Sequence, residues 1–210
     1  MRGNASLPHN PDMSIPEIET DRLLLRALTY ADRQPFATMN ADPEVMTYMS
    51  RSLDRSGSDL FMARIQDHWD AHGFGLWAIE RPNDGAFLGF AGLSAPAFEA
   101  PFTPAVEVGW RLARTAWGHG YATEAGAAAL DHGFEALGLA EIVSFTAVGN
   151  DRSRRVMERL GMTHDPVDDF DYPLVPPGHI VHRQVLYRLL STGWRSRLDH
   201  SNDRPAVEGA

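Results

Sequence analysis

The chain has 210 residues and contains no cysteine. Disulfide bonds, thiolate metal sites and cysteine nucleophiles are therefore excluded. The absence of cysteine does not indicate a compartment, because a protein of a reducing cytosol needs no disulfides.

Long apolar runs are also absent. No stretch approaches the ~20 apolar residues that a membrane-spanning helix requires. Residues 1–9 lack the apolar core of a secretory signal peptide. We therefore expect a cytoplasmic protein without a membrane partner.

Positive charge is scarce. Lysine and arginine number 19 against 28 acidic residues, which gives a formal net charge of −9. This balance argues against a nucleic-acid partner, because binding to phosphate backbones depends on clustered cations. It is compatible with a cationic substrate such as an amine.

Composition and length fit one soluble domain with tails, since 43% of the residues are hydrophobic and 22% are charged. We predict a flexible arm over residues 1–17, one domain over residues 18–190 and a disordered tail over residues 191–210. The sequence shows neither an internal repeat nor a second domain.

Hydrophobic periodicity predicts a mixed sheet with helices on both faces. Thr29 and Asp32 match a capping box at the start of the first helix. Asp42 with the following proline predicts a second, short helix. The predicted strands cover residues 18–27, 76–80, 87–93, 106–112, 141–149 and 180–190, and the longer helices cover 29–39, 58–72, 121–137 and 151–160.

Residues 106–125 read as a strand, a glycine-rich turn and a helix. Gly118 and Gly120 bracket the turn, and the helix begins at about Tyr121. The free N–H groups of such a helix start, together with its dipole, form a site for an anion, most often phosphate. The dinucleotide fingerprint fails because its third glycine falls at Thr123, and no Gly-Lys-Ser/Thr sequence supports a nucleotide-triphosphate loop.

Other polar and aromatic residues admit more than one interpretation. The histidines lack metal-ligand spacing, and His179 and His182 should point to opposite faces of a strand, so no metal site is predicted. The loop over residues 164–179 carries four aspartates, which could form a wall for a cationic substrate. Phe98 and Phe102, in a proline-rich loop, are candidates to line the substrate entrance.

Several motifs together resemble the GNAT superfamily of N-acetyltransferases, with a closer likeness to its ribosomal-protein N-terminal acetyltransferase (RimJ/RimL-like) branch. They are Glu19–Arg26, Glu107–Trp110, Trp117–Ala125, Gly138-Leu139, and Asn150–Ser153 with Glu158–Gly161. The resemblance covers roughly residues 18–190. It implies an α/β (α+β) GNAT fold, with a mixed, mostly antiparallel twisted sheet, helices on both faces and splayed central strands.

The resemblance assigns roles to particular residues. Glu107 would be the catalytic base; the alternative is a polar residue on the solvent side of its strand. Ser153 takes the place of the tyrosine acid of many members; the alternative is a first-turn serine without a task. Asn150 would cap its helix and contact the donor. The other residues assigned to acetyl-CoA are Leu112, Arg114, Trp117, Gly118, His119, Gly120, Tyr121, Ala122 and Thr123.

The implied reaction is direct transfer of an acetyl group from acetyl-CoA to a primary amine in a ternary complex, without a metal. The acceptor is either a protein N-terminus or a small-molecule amine. A catalytically silent acyl-CoA-binding or sensing protein is the alternative from another class. The oligomeric state stays open, with a homodimer as one option.

Overall fold

Nine strands form one mixed sheet, and the computed structural model describes residues 15–202. The spatial order is β1-β2-β3-β4-β5-β6-β9-β7, and β8 also pairs with β9. The strands are β1 (Ile18–Glu19), β2 (Leu24–Arg26), β3 (Leu76–Arg81), β4 (Ala86–Ser94), β5 (Glu107–Leu112), β6 (Glu141–Ala147), β7 (Thr163–His164), β8 (Phe170–Asp171) and β9 (Arg183–Leu190).

The two central strands, β5 and β6, diverge. They form the parallel pair of a sheet whose other described pairs are antiparallel, and their register contains one bridge, Glu107 with Val143. Beyond that bridge β5 keeps its pairing to β4 but has no strand on its other side. The prediction of a mostly antiparallel sheet with splayed central strands is therefore confirmed.

Helices cover both faces of the sheet. Trp110 and Arg111 are neighbours on β5 and point to opposite faces. Gly126 of α3 lies against the Trp110 ring, whereas the Arg111 guanidinium lies 5.4 Å from the Phe61 ring centre in α2. The helices are α1 (Arg33–Ala41), α2 (Arg55–His72), α3 (Tyr121–Asp131), α4 (Asp151–Arg159) and α5 (Ser191–Asn202).

Short sequence motifs predicted several elements correctly and two wrongly. The Thr29–Asp32 capping box is present before α1. The predicted first strand is divided into β1 and β2, because the Thr20 N–H bonds to the Leu23 carbonyl and turns the chain. The short helix predicted at Asp42 is a turn, because the Asp42 carboxylate accepts the Glu44 N–H and competes with helical bonding.

The predicted disordered tail is wrong for residues 191–202, which form α5. Trp194 is only 3% exposed, and its indole N–H donates to Asp131 of α3 at 2.6 Å. One buried tryptophan therefore docks a helix whose other residues are mostly polar. Residues 203–210 lie outside the described residues.

The predicted arm over residues 1–17 falls mostly outside the described residues. Its last part is attached to the domain, because the indole of the buried Trp77 donates to the Pro16 carbonyl at 2.7 Å. Of the helices described, none has both the length and the apolar character that crossing a bilayer requires.

Candidate active site

A cavity of about 1010 Å³ lies where β5 and β6 separate. The first turns of α3 and α4 form one end of this cleft. The loop between α1 and α2 lines another side through Glu44, Val45, Thr47, Tyr48 and Met49. This loop reaches the β6 side of the cleft, since a Cβ placed on Gly149 would lie 3.6 Å from the Tyr48 hydroxyl.

The glycine-rich turn lies at the entrance to α3. Gly118 and Gly120 have φ values of 83° and 82°, a left-handed conformation that other residues adopt at a cost. Gly120 is the N-cap of α3 and has no side chain to accept the first helical N–H groups. Such N–H groups, with the positive end of the helix dipole, can bind phosphate oxygens.

The N-terminal segment braces this turn. Arg22 donates from Nε to the Glu124 carboxylate at 2.7 Å and from Nη1 to the His119 carbonyl at 3.0 Å. The Thr20 hydroxyl donates to the same carboxylate at 2.6 Å. Burial alone would raise the pKa of Glu124, but the hydrogen bonds from Thr20 and Arg22 outweigh it and lower that pKa. A charged network therefore fixes the turn from outside the cleft.

Trp117 anchors the other side of the turn. Its indole N–H donates to the Leu112 carbonyl at 3.0 Å. The guanidinium groups of Arg152 and Arg114 lie 4.3 Å and 5.1 Å from a Trp117 ring centre. Cation–π contacts thus hold two guanidinium groups beside the glycine-rich turn, and that of Arg114 also pairs with the Glu44 carboxylate at 2.8 Å.

The open edge of β5 presents backbone groups to the gap. Val143 donates its N–H to the Val106 carbonyl at 2.9 Å, which places the even-numbered backbone groups of β5 on the β6 side. The parallel bridge at Glu107 also uses the Val108 N–H, which faces the Val143 carbonyl, so the first N–H that points toward β6 beyond the bridge is that of Trp110. Because β6 has diverged there, this edge can pair with an extended ligand.

Glu107 lies at the closed end of the gap, beside the bridge to β6. Part of its surface opens to the cleft, and the rest is enclosed by protein. Burial raises the pKa of Glu107 to about 8, and a hydrogen bond with Ser94 opposes that rise. Glu107 can therefore exchange a proton near neutral pH.

Asn150 and Ser153 form the opposite wall. The Asn150 side chain accepts the Ser153 N–H at 3.3 Å and donates to the Thr146 hydroxyl at 2.9 Å. The predicted helix-capping role of Asn150 is confirmed. Both residues line the cleft at the start of α4.

Comparisons with known proteins identify the family. The model of the GNAT acetyltransferase domain matches residues 22–163. The chain belongs to the GNAT acetyltransferase family. It is an N-acetyltransferase that uses acetyl-CoA as its acyl donor. Among residues 15–202, no group of three or more histidine, aspartate or glutamate side chains is placed to hold a metal ion.

Relatives of this GNAT enzyme span most of its length. It is 34% identical over 147 residues to the uncharacterized protein YkkB of Bacillus subtilis, covering 70% of this chain and 84% of the relative. It is 32% identical over 190 residues to an FsC-acetyl coenzyme A-N(2)-transacetylase of Aspergillus fumigatus, covering 85% and 78%. A solved acetyltransferase of Agrobacterium tumefaciens has 31% identity and a TM-score of 0.68, covering 87% of this chain and 98% of that one.

The GNAT cleft brings together most residues named from the sequence. His119 is the exception, because its side chain is exposed outside the cleft and stacks on Tyr121. Only its backbone carbonyl takes part, through Arg22. The cleft-lining members of the predicted set are Glu107, Leu112, Arg114, Trp117, Gly118, Gly120, Tyr121, Ala122, Thr123, Asn150 and Ser153.

Two suggestions for a substrate wall are wrong. Asp168 pairs with Arg188 at 2.7 Å and Asp169 with His164 at 2.7 Å, and none of the residues 165–171 lines the cleft. Phe98 and Phe102 do not line it either, because they pack with Phe145, Phe170 and Tyr172 in a separate apolar cluster.

Sequence reasoning missed four residues of the site. Arg22 occurs in a motif that supported the family resemblance, but nothing local indicates its contact with Glu124. Tyr48 and Arg152 contact the site across long sequence separations. Arg111 carried a signal, since it is a charged residue within a strand of apolar neighbours.

Proposed function

We propose that this enzyme acetylates an α-amine by direct attack on acetyl-CoA, with Glu107 as the base. The observation that carries the proposal is the arrangement along β5. A carboxylate lies at the closed end of the gap, the edge of β5 beyond the bridge has no strand beside it, and the glycine-rich turn lies at the far end.

The donor fits this arrangement in one orientation. The pyrophosphate of acetyl-CoA would bind the turn at Gly118–Thr123, with the Thr123 hydroxyl as an additional donor. Arg114 and Arg152 supply positive charge beside it. The pantetheine arm would pair with the free edge of β5, and the acetyl group would then lie toward Glu107.

The chemistry needs a base and an oxyanion donor. Glu107 accepts one proton from the ammonium, and the neutral amine nitrogen then bonds to the acetyl carbon. The carbon–sulfur bond breaks, and the second proton passes from the nitrogen to the departing thiolate, which gives the amide and CoA thiol. The N–H of Trp110, beyond the bridge on β5, stabilises the charge that develops on the acetyl oxygen. The Ser153 hydroxyl donates a hydrogen bond to the departing sulfur.

The base matches an α-amine better than a lysine-type amine. The pKa of Glu107 is about 8, close to the ~7.7–8.0 of an α-ammonium group and well below the ~10.4 of a lysine ammonium. A match of pKa values allows proton transfer at little free-energy cost. The name of the Aspergillus relative, an N(2)-transacetylase, supports an amine acceptor of this kind.

Two features favour the ribosomal-protein N-terminal acetyltransferase branch, and with it a protein N-terminus as one acceptor. The turn begins with Trp117, and Ser153 stands where many other members have a tyrosine. We further propose a cytoplasmic location.

The test is steady-state release of CoA thiol with a panel of α-amines, ω-amines and peptides. We expect α-amines to give the highest kcat/KM, and Glu107→Gln to lower it about 100-fold or more. Tight CoA binding without amine-dependent thiol release would instead indicate the silent acyl-CoA-binding protein.

A further inference from the structure

Arg111 is a cleft-lining cation without a counterion. Its side chain is largely buried, and burial lowers the pKa of Arg111 to about 10, so it stays positively charged at neutral pH. Within residues 15–202 no carboxylate forms an ion pair with it, although the chain has 28 acidic residues. A buried charge of this kind is costly unless a partner neutralises it.

The groups around Arg111 are neutral and leave donors unused. Nη1 donates to the Asn40 amide oxygen at 2.7 Å, and Nη2 points at the Met49 sulfur at 2.9 Å. The guanidinium lies over the rings of Phe90 and Phe61 at 5.2 Å and 5.4 Å. Its Nε has no hydrogen-bond partner. Since a thioether is a weak acceptor, Met49 leaves a strong donor available for an anion.

Arg111 shares one face of β5 with Glu107. Residues 107, 109 and 111 point to the same side of the sheet because side chains alternate along a strand. Gly109 leaves the space between them open, since an added Cβ would meet only a Glu107 oxygen at 3.8 Å. The floor of the cleft therefore has a carboxylate and a guanidinium four positions apart, roughly 13 Å along the strand.

This face belongs to the acceptor side. Arg111 contacts α1 and α2, whereas the phosphate-binding turn leads into α3 on the opposite face. The α1–α2 loop, which includes Met49, covers Arg111 and lines the cleft. The donor phosphates have their own cations in Arg114 and Arg152.

We propose that Arg111 binds a carboxylate of the acceptor, so that the preferred acceptor is an amine that carries a carboxylate several bonds from its nitrogen. The inference rests on the proposed function, which places the amine at Glu107. The carboxylate could belong to a free aminocarboxylic acid or to an acidic side chain near a peptide N-terminus.

Matched acceptors test the proposal on the unmodified enzyme. One pair is the α-amides of glutamic acid and glutamine, which have the same α-amine and differ in whether the side chain ends in a carboxylate or an amide. The other is the C-terminally amidated tripeptides glycyl-glycyl-aspartate and glycyl-glycyl-asparagine, and comparison of the two pairs distinguishes the two sources. We expect the carboxylate member of at least one pair to have a kcat/KM roughly 10- to 100-fold higher, the range of a charge-assisted hydrogen bond. Equal values in both pairs would overturn the proposal.

Variants locate the effect. Arg111→Met should abolish the carboxylate preference and leave the KM for acetyl-CoA within about twofold, whereas Arg111→Lys should keep part of it. Arg64→Met, an exposed residue of α2 outside the cleft, removes the same charge and should change neither value. A raised KM for acetyl-CoA with an intact carboxylate preference would mean that Arg111 serves the donor, which contradicts the proposal.

Equilibrium binding separates this inference from the proposed function. If no amine releases thiol, the proposed function fails, yet binding of the same acceptors to the enzyme–CoA complex can still be measured. Preferential binding of the carboxylate members that Arg111→Met removes would support the inference. Equal binding of the carboxylate and amide members would overturn it, and if Arg111→Met fails to fold, the wild-type preference alone decides.

Discussion

Arg22 and Glu124 lie 102 positions apart in the chain and are joined by a hydrogen bond from the Arg22 backbone N–H at 2.9 Å and another from its guanidinium at 2.7 Å. The pair places a neutralised carboxylate in the first turn of α3, where phosphate is expected to bind. Without Arg22, Glu124 would repel the donor phosphates and the turn would lose its bond to the His119 carbonyl.

We therefore expect Arg22→Ala to raise the KM for acetyl-CoA about three- to tenfold, a modest range because half of the arginine side chain is exposed. Initial-rate kinetics at varied donor concentration measure this value. The double variant Arg22→Ala/Glu124→Gln should recover much of the loss, because it removes the repelling charge. A double variant as impaired as the single one would show that charge is not the cause.

The raised pKa of Glu107 leads us to expect a specific pH dependence of kcat/KM. Because of this pKa, the carboxyl holds a proton below about pH 8 and cannot act as a base there. The kcat/KM for an α-amine should rise with pH and level off above about 8, with the titration of the free enzyme and of the amine both contributing. In the Glu107→Gln variant, the profile of kcat/KM against pH should lack the titration of residue 107 and keep the titration of the amine substrate.

Measurement with two amines of different pKa separates these contributions, because only the amine's part shifts with the substrate. A wild-type profile that coincides in shape with that of Glu107→Gln for both amines would exclude Glu107 as the base.

Gly120 and Gly85 form a matched pair for testing the turn. Both have left-handed φ values, 82° and 68°, and alanine should cost each about 1–2 kcal/mol of folding free energy. Gly120 lies in the glycine-rich turn, and an added Cβ there would lie 3.5 Å from the Arg22 guanidinium, whereas one on Gly85 would meet nothing within 4 Å. Gly120→Ala should raise the KM for acetyl-CoA, and Gly85→Ala should leave it unchanged.

Chemical denaturation supplies the control for this comparison. The two variants should lose similar stability, so that any difference in KM belongs to the turn. A similar rise in KM for both variants would mean that general destabilisation, and not turn geometry, governs donor binding.

Trp194 should be essential for docking α5. Trp194→Ala removes a side chain that is 3% exposed and should lower the free energy of unfolding by about 3–5 kcal/mol. Trp194→Phe keeps most of the packing but leaves Asp131 without its indole donor, and should cost about 1–3 kcal/mol. Urea unfolding of both variants checks the order, and an exposed α5 substitution such as Thr192→Ala serves as the control. If Trp194→Ala were as stable as that control, α5 would not be docked in solution.

Features encoded by neighbouring residues were predictable from the sequence. The Thr29–Asp32 box and the run from β5 through Gly118 and Gly120 both depend on residues a few positions apart. Because each feature is formed by neighbouring residues, the hydrophobic periodicity and the turn-forming residues of the sequence are enough to predict it.

Features that depend on distant partners were not predictable. The segment after Leu190 is polar in sequence, and only the position of Asp131 reveals that Trp194 has a docking site. The aspartates at 168 and 169 suggested an acidic wall because their partners, Arg188 and His164, could not be assigned before the sheet order was known. Arg111 was visible as a charge within a strand, but its lack of a counterion is a property of the folded cleft.

The single bridge between β5 and β6 has a consequence for the lifetime of the enzyme. Among the described strands, the hydrogen-bond ladder passes from β1–β5 to β6–β9 only at Glu107 and Val143. A donor bound in the gap as proposed would therefore also connect the two halves of the sheet. Ligand that binds only the folded state stabilises it by mass action, by about 2.7 kcal/mol when its concentration is 100 times its Kd. A fall in cellular acetyl-CoA would then remove a reactant and a structural support together, and the amount of surviving enzyme would follow the acetyl supply.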